Sequence, residues 1–311
     1  MKRIIAFMIA FVFLTIVIGC SSSYEDDTTT NIQSEQIQGE ATTPEEDSDQ
    51  EADVPNFNII STTVAITEIM DALELDLIGI PESYKELPDR YEGVTVVGNV
   101  KKPDLEIIKW LNPSDLLSVS TLEYDLKPVF EEARIEASFL NLNTVQEMQT
   151  TILELGDRFS REEQAEKIVN EINQKIAAVD ATVAGKESPT VLILFGVPGS
   201  YTVATEHSYI GNLVKLTGGV NVMEDATVEY VSANTEYLQQ ANPDIILRAS
   251  HGTPDAVVEM FDKEFKENDI WKHFSAVQNN RVYDLEETLF GTTGNLAATE
   301  ALDELLKMLY E

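Results

Sequence analysis

A histidine that follows a short apolar strand is the side chain best suited to chemistry in this sequence. His251 stands between Ser250 and Gly252, directly after the apolar run IILRA. In open sheets of parallel strands, ligands bind at the edge where the strands end, and the imidazole ring is a common metal ligand. We therefore predict that His251 contacts a ligand at such an edge.

The other two histidines stand in different settings. His207 lies in the polar loop PGSYTVATEHSY, which we expect to rim a ligand cleft, and His273 follows Trp271 in an amphipathic segment that favours a structural role. Three histidines spread in this way fit poorly with the multi-histidine sites of zinc or manganese receptors. Ser200 and His251 could serve as nucleophile and base, but G-x-S-x-G is absent and no acidic partner is identifiable. The pattern therefore does not indicate an enzyme.

The segment that leads to His251 has an earlier counterpart in the chain. EIIKWLNP and EYLQQANP each place a glutamate, Glu106 or Glu236, six residues before an Asn-Pro pair, and a short apolar run follows both. Because the residue before proline disfavours the helical region, Asn112 and Asn242 each mark the end of a helix. The two copies are 130 residues apart. That separation is too long for a solenoid repeat and predicts two similar lobes.

Strands alternate with helices in both halves of the sequence. This order predicts an α/β fold in which each lobe has a largely parallel sheet. We assign residues 57–155 to an N-terminal lobe and residues 187–311 to a C-terminal lobe. About 255 residues are enough for two lobes with sizeable cores.

A long helix is predicted between the lobes. Apolar residues recur at three- and four-residue spacing from Leu155 to Val183, and Ser160 with Glu163 matches a capping box. A helix of about 24 residues is about 36 Å long, which is enough to run from one lobe to the other. We therefore assign residues 156–186 to an inter-lobe helix.

Three polar segments of the N-terminal lobe are expected to meet at one edge. Thr62 and Thr63 follow the strand NII and begin a helix, where threonines cap and free backbone N–H groups bind anions. Tyr84 and Lys85 lie in the loop ESYKELPDRYEG, and Lys101 lies in the loop GNVKKP. Because each predicted strand empties into a polar loop, we expect these loops to gather on one edge of the lobe.

The N-terminus has the features of a lipoprotein signal peptide. Lys2 and Arg3 precede an apolar run of 15 residues, and the signal, assigned to residues 1–19, ends in VIG before the only cysteine, Cys20. The run is shorter than the roughly 20 residues that a spanning helix needs. We therefore expect Cys20 to carry the lipid, and a single cysteine excludes an intramolecular disulfide.

The distribution of charge limits the partners. Residues 20–56 are predicted to form a disordered tether, in which positions 21–56 hold 11 acids and no base. Residues 57–311 hold 44 acids against 19 bases, and the whole chain has a formal net charge of −34. A surface this acidic argues against nucleic acid as a partner.

Several segments, in order along the chain, carry a family resemblance. They are TTVAIT, SYKELPDRY, VLILFGVPGSY, SANTEYL, NPDIILRASHGTP, NDIWKHF and VYDLEE. Together with the lipobox, the tether and the two α/β lobes, they resemble the haem-receptor lipoproteins of iron-regulated surface determinant systems. These receptors belong to the binding lipoproteins of ABC importers for iron-siderophores, haem and cobalamin. The resemblance covers essentially everything after Phe57.

The resemblance implies a fold and a ligand. The fold would be the class III periplasmic-binding-protein fold, with two Rossmann-like lobes joined by one long helix and little closing motion. The cleft between the lobes would hold haem b, with His251 as an axial ligand of the iron. The same resemblance makes Thr62, Thr63, Tyr84 and Lys85 candidate haem contacts, the threonines for the propionates and the tyrosine ring for stacking.

The second axial ligand departs from the family pattern. Where the resemblance implies a methionine, this sequence has Lys101. Lys101 could bind the iron, but an ordinary lysine amine must first lose a proton, at a cost of about 4 kcal/mol at pH 7.4. Alternatively Lys101 pairs with a propionate, which needs no deprotonation and is the role we favour, or Tyr84 or Met70 replaces the methionine.

The resemblance also implies partners. The chain would be a lipid-anchored monomer on the extracellular face of the membrane of a Gram-positive bacterium. It would take haem from surface donor proteins and deliver it to an ABC permease and its ATPase, with Glu106 and Glu236 docking onto permease arginines. A ferric siderophore or a corrinoid is the main alternative ligand, although the predicted cleft loops offer few arginines beyond Arg90 and Arg248. A structural or adhesive lipoprotein would lack a ligand cleft altogether.

Overall fold

The computed structural model describes residues 57–223 and 226–311. The predicted signal peptide, Cys20 and the predicted tether lie outside the described residues. Within the described part of the chain, no helix combines the length and the apolar character needed to cross a membrane.

The N-terminal sheet is parallel throughout. Its five strands lie in the order β3-β2-β1-β6-β7, and a separate hairpin is formed by β4 and β5. The strands of this half are β1 (Ile59–Ser61), β2 (Gly79–Ile80), β3 (Thr95–Val96), β4 (Gly98–Asn99), β5 (Lys102–Pro103), β6 (Asp115–Val119) and β7 (Ser138–Leu140). Parallel strands end at a common edge, so the segments after β1, β2 and β6 open on the same side.

The C-terminal sheet is mixed. Its strands lie in the order β11-β9-β8-β12-β13, and β10 pairs with the start of β8. They are β8 (Thr190–Val197), β9 (Ser200–Ala204), β10 (Val220–Asn221), β11 (Tyr230–Ser232), β12 (Ile245–Ser250) and β13 (Val282–Leu285). The segment after β8 was predicted as a loop, but it turns at Gly199 (φ +85°) and returns as the antiparallel strand β9.

Helices cover the sheets. They are α1 (Val64–Ala72), α2 (Leu105–Leu111), α3 (Glu123–Ala133), α4 (Val145–Phe159), α5 (Glu162–Val183), α6 (Tyr209–Leu216), α7 (Thr235–Ala241), α8 (Pro254–Glu267), α9 (Ser275–Gln278) and α10 (Ala298–Tyr310). Short 3-10 helices span Asp89–Tyr91, Ser120–Leu122 and Asp269–His273.

The predicted repeat is present in both halves. Helix α2 precedes β6 and helix α7 precedes β12, and both helices have seven residues. Asn112 (φ 48°) and Asn242 (φ 42°) end them in the left-handed conformation, which asparagine tolerates better than most residues. The prediction that each Asn-Pro pair ends a helix is confirmed.

The long helix starts later than its sequence suggested. Ser160 ends α4 in the left-handed conformation (φ 54°), so it does not cap α5, whose first residue is Glu162. The predicted capping box is therefore wrong. The turn between α4 and α5 is tight, since a Cβ atom at Gly156 would lie 2.5 Å from the Cβ atom of Ala165.

One hydrophobic core runs through both halves of the described chain. It includes Ile59 and Leu117 from the N-terminal sheet and Ile193 and Leu247 from the C-terminal sheet, all buried. Helix α5 contributes its apolar stripe to the same core, and α10 adds five buried residues: Ala298, Ala301, Leu302, Leu305 and Leu309. The long helix is thus packed along its length and does not stand free between the lobes.

Candidate functional site

His251 is held at the carboxyl edge of the C-terminal sheet. It follows β12, and its backbone N–H donates to the carbonyl of Gly196 at 3.0 Å, which continues the pairing with β8. Its ring stacks on Phe195, with centroids 6.0 Å apart, and its side chain remains 38% exposed. Phe195 therefore orients the ring while part of the ring remains accessible to solvent, as a ligand-binding histidine requires.

A buried carboxylate fixes the proton of His251. Nδ1 of His251 lies 3.1 Å from Oε1 of Glu287, whose side chain is only 4% exposed. The same oxygen accepts the backbone N–H of Gly252 at 3.0 Å. Because an ionised carboxylate only accepts hydrogen bonds, Nδ1 must carry the proton, and the lone pair of Nε2 is left for a ligand.

Glu287 is ionised at neutral pH. Burial alone would raise its pKa, but the hydrogen bonds from His251, Tyr84 and Gly252 and the charge of Lys85 lower the pKa to about 2. A carboxylate behind a metal-binding imidazole orients the ring and raises its basicity. The arrangement is therefore suited to binding an electrophilic metal through Nε2.

The loop after β2 reaches across to this cluster. The hydroxyl of Tyr84 donates to Oε1 of Glu287 at 2.6 Å, and Nζ of Lys85 donates to the carbonyl of Glu287 at 3.2 Å. Burial and the neighbouring Glu287 raise the pKa of Tyr84, so the phenol keeps its proton and acts as a donor. The structure thus brings Tyr84 and Lys85 from the N-terminal half to His251 from the C-terminal half.

Lys101 lies in the neighbouring hairpin. Val100 and Lys101 form the two-residue loop between β4 and β5, and the N–H of Lys101 donates to Oδ1 of Asn99 at 3.0 Å. The carbonyl of Gly98 accepts the N–H of Glu82 at 2.8 Å, which holds this hairpin beside the loop of Tyr84 and Lys85. Lys101 and Lys102 are exposed and form no ion pair with any residue that the structure describes.

Thr62 and Thr63 differ in the hydrogen-bond donors that they leave available for an anion. The hydroxyl and the N–H of Thr62 both donate to the carbonyl of Leu117 at 3.0 Å, and the side chain is 1% exposed. Thr63 caps α1 by accepting the N–H of Ile66 at 3.4 Å. The first N–H groups of a helix have no partner within it, so an anion at this edge would meet the backbone after Thr63 and not the hydroxyl of Thr62.

Other predicted residues lie away from this cluster. Met70 is fully buried in the core, so it cannot serve as the second ligand without unpacking α1. Nε2 of His207 lies 2.8 Å from the carbonyl of Ala226, at a surface cavity of about 660 Å³ that Glu147 and Glu229 also line. His273 ends the 3-10 helix that starts at Asp269. Within residues 57–223 and 226–311, no three His, Cys, Asp or Glu side chains are arranged to hold a metal ion by themselves.

Glu287 and Phe195 were missed in the sequence. Both lie at or just beyond the carboxyl ends of strands that flank β12, Phe195 on β8 and Glu287 after β13. The order of the strands was the missing information, because it decides which segments become neighbours of His251. The segment VYDLEE did carry the family resemblance, which was the one available signal for Glu287.

Comparison with known proteins assigns the chain to a family. The family model described as periplasmic binding protein matches residues 59–289. The chain belongs to this family. The predicted class III fold is confirmed, since this periplasmic binding protein has the two sheets and the single long helix between them in sequence.

This periplasmic binding protein is similar to proteins of Staphylococcus aureus and Listeria monocytogenes. The high-affinity heme uptake system protein IsdE of Staphylococcus aureus strain Newman is 47% identical over 258 residues, which cover 82% of this chain and 88% of that protein. The crystal structure of S. aureus IsdE complexed with heme matches with a TM-score of 0.80 at 46% identity, covering 82% of this chain and 100% of that one. An ABC transporter substrate-binding protein from Listeria monocytogenes EGD-e matches with a TM-score of 0.78 at 60% identity, covering 82% and 98%.

Proposed function

We propose that this chain is the haem-binding receptor of an ABC importer, anchored to the outer face of the membrane through a lipid on Cys20. It takes haem from cell-surface donors and delivers it to the permease for iron acquisition. The observation that carries the proposal is the contact of 3.1 Å between Nδ1 of His251 and the ionised Glu287, which leaves Nε2 for haem iron. The identity of 47% with IsdE supports the same ligand.

Each cluster residue has a role in this proposal. His251 binds the iron, and Glu287 orients the ring and makes it a stronger donor. Lys85 and the start of α1 after Thr63 are proposed as partners of the propionates, with Thr62 supporting that turn. Nζ of Lys85 and the hydroxyl of Tyr84 both donate to Glu287, which ties the N-terminal loop to this residue. Lys101 is proposed as a further propionate partner.

A ferric siderophore is the weaker alternative because the arginines that it would need are occupied. Arg90 bonds Asp71 and Asp76, each at 3.1 Å. Arg248 is nearly buried and pairs with Asp284 and Asp262. Both guanidinium groups already pair with carboxylates, whereas haem needs only one good iron ligand and cations for two propionates.

The test is an absorbance titration with haemin of the chain from residue 21. Wild type is expected to show a saturable one-to-one change in the Soret band, and His251→Ala is expected to lose it. His207→Ala and His273→Ala are matched controls that should bind as wild type does. In Lys101→Ala, weaker binding with an unchanged spectrum would support the propionate role, whereas a changed spectrum would identify Lys101 as the second iron ligand. The absence of a saturable change in wild type would exclude the haem proposal.

A further inference from the structure

An exposed tryptophan stands out on the N-terminal repeat. Of the two tryptophans, Trp271 is fully buried, whereas Trp110 is 76% exposed on helix α2. Glu106 lies one turn earlier on the same helix, with its side chain 90% exposed. Residues four apart lie on one face of a helix, so the carboxylate and the indole ring are presented side by side.

The matching helix of the other half lacks this pair. Leu238 of α7 is buried at the position of Ile108 in α2, so the two helices pack in the same register. Glu236 is exposed, as Glu106 is, but the position of Trp110 is taken by Gln240. The exposed aromatic of α7 is Tyr237, directly after the glutamate, and adjacent helical residues do not face each other.

A carboxylate beside an indole ring fits one chemical group especially well. A guanidinium can form two hydrogen bonds with the carboxylate while its flat face stacks on the ring, which an ammonium cannot do equally well. Glu106 is available for such a partner, because its contact with Lys109 is long at 4.0 Å and lies at the surface.

The charge of the chain narrows the partner further. Residues 57–311 hold 44 acids and 19 bases, so an acidic protein surface or an anionic lipid surface is repelled. A cationic protein surface is attracted. Tryptophan is also among the residue types that are enriched at the positions that dominate binding energy in protein interfaces.

We propose that Trp110 stacks on the permease arginine that the family resemblance pairs with Glu106, and that this two-residue N-terminal grip is stronger than the contact at Glu236. The inference rests on the proposed function for the identity of the partner. It adds the chemistry of the contact and a difference in strength between the two repeats. In the N-terminal repeat a carboxylate hydrogen-bonds the guanidinium while the indole ring stacks on it, whereas the C-terminal repeat offers a carboxylate alone.

The experiment measures docking of the full chain in detergent to the permease and ATPase complex held in lipid nanodiscs. Trp110→Gln, which installs the residue found in α7, is expected to weaken docking at least tenfold, and Trp110→Phe less than threefold, since a phenyl ring still stacks. Glu106→Gln should also lose at least tenfold, and Glu236→Gln less. Because one guanidinium would serve both partners, the double variant Glu106→Gln/Trp110→Gln should lose much less than the product of the single effects.

A matched control distinguishes this contact from nonspecific binding through an exposed aromatic side chain. Tyr124 is 90% exposed on α3 of the same half, and Tyr124→Gln should dock as wild type does. Trp110→Gln docking at wild-type affinity, equal loss in Tyr124→Gln, or independent losses in the double variant would each overturn the inference.

The haemin titration is run on the same variants and should be unchanged in all of them. If wild type binds no haemin but docks with this pattern, the ligand proposal fails and the grip stands. If wild type binds haemin but does not dock, the grip fails together with the permease as its partner.

Discussion

The two repeats share a frame, which consists of a short helix, the asparagine that ends it and a buried strand, and they differ in the three residues that follow the strand. In both, a seven-residue helix ends at an asparagine in the left-handed conformation and leads into a buried parallel strand. After β6 the chain continues at once into the 3-10 helix Ser120–Leu122 and then α3. After β12, His251 extends the strand pairing and Gly252 takes a φ of +85° before α8 begins.

This difference explains why one copy can carry a ligand site. Gly252 interrupts the path from strand to helix, so its own N–H and the ring of His251 both turn to Glu287. In the N-terminal copy the corresponding residues begin a helix and their backbone is used there. The same scaffold therefore leads into a helix in one half and into the candidate site in the other.

The largest effect expected from this contrast is a dependence of stability on pH. The pKa of Glu287 is lowered from 4.5 to about 2 in the folded chain. Its stabilising contribution is complete above about pH 4.5 and is lost as the pH falls through about 2, with a total of up to about 3 kcal/mol. The difference in unfolding free energy between wild type and Glu287→Gln, measured in urea, should therefore shrink over that interval.

The exposed neighbour Glu286 provides the control for this measurement. Glu286→Gln should differ little from wild type at any pH in the interval. A gap between wild type and Glu287→Gln that stays constant from pH 4.5 to 2 would show that the carboxylate is not held ionised by the site.

The next effect concerns haem affinity. Replacing Glu287 by Gln keeps a hydrogen-bond acceptor near Nδ1 but removes the charge, so His251 becomes a weaker donor. Loss of such a supporting group costs about 10- to 100-fold in metal affinity. Haemin titration of Glu287→Gln should show this loss with His251 still bound to iron, and an unchanged affinity would remove Glu287 from the site.

The helix ends of the two copies should differ by a smaller amount. The side chain of Asn242 donates to Oγ of Ser275 at 2.8 Å and accepts its N–H at 2.9 Å. Asn112 ends α2 in the same conformation and is exposed, as Asn242 is, but its side chain forms no hydrogen bond with any residue that the structure describes. Glycine keeps the left-handed conformation and removes only the side chain, so Asn242→Gly should cost about 1–2 kcal/mol and Asn112→Gly less than about 0.5. Urea unfolding would show equal costs if the bonds to Ser275 contribute nothing.

The last prediction is that a histidine placed in the N-terminal copy does not create haemin binding. Thr121 occupies the position in the N-terminal copy that His251 occupies in the other. The strand beside β6 is β7, and it is followed by Asn141, Leu142 and Asn143, none of which is a carboxylate. Thr121→His in a His251→Ala background should therefore not restore haemin binding, and restored binding would show that the frame alone is sufficient.

Local pattern was enough to predict the repeat and the α/β alternation. The Asn-Pro pairs place the helix ends at Asn112 and Asn242, and the apolar runs place β6, β8 and β12 within a residue or two. What failed depended on neighbours distant in sequence. Ser160 resembles a cap until the tight turn between α4 and α5 requires it to end α4, and β9 exists because β8 offers it an edge.

The same distinction between local pattern and distant neighbours applies to the candidate site. Strand ends indicate His251, and the loop that holds Tyr84 and Lys85 does reach it. Glu287 follows β13, and only the order of strands in the sheet makes it a neighbour of His251. The lobe boundaries, the docking glutamates and the ligand-binding roles of all the site residues, His251 and Lys101 included, stay predictions.

The hydrophobic core that runs through both halves also determines how the molecule comes apart. Ile152 and Leu155, before the long helix, belong to the same buried cluster as Leu302 and Leu305 near the C-terminus. A protein built in this way is expected to unfold in one cooperative transition, and a protease that cuts within α5 should release two fragments that both lose their structure. We therefore expect that neither half of this protein folds alone, although each half contains a copy of the repeat.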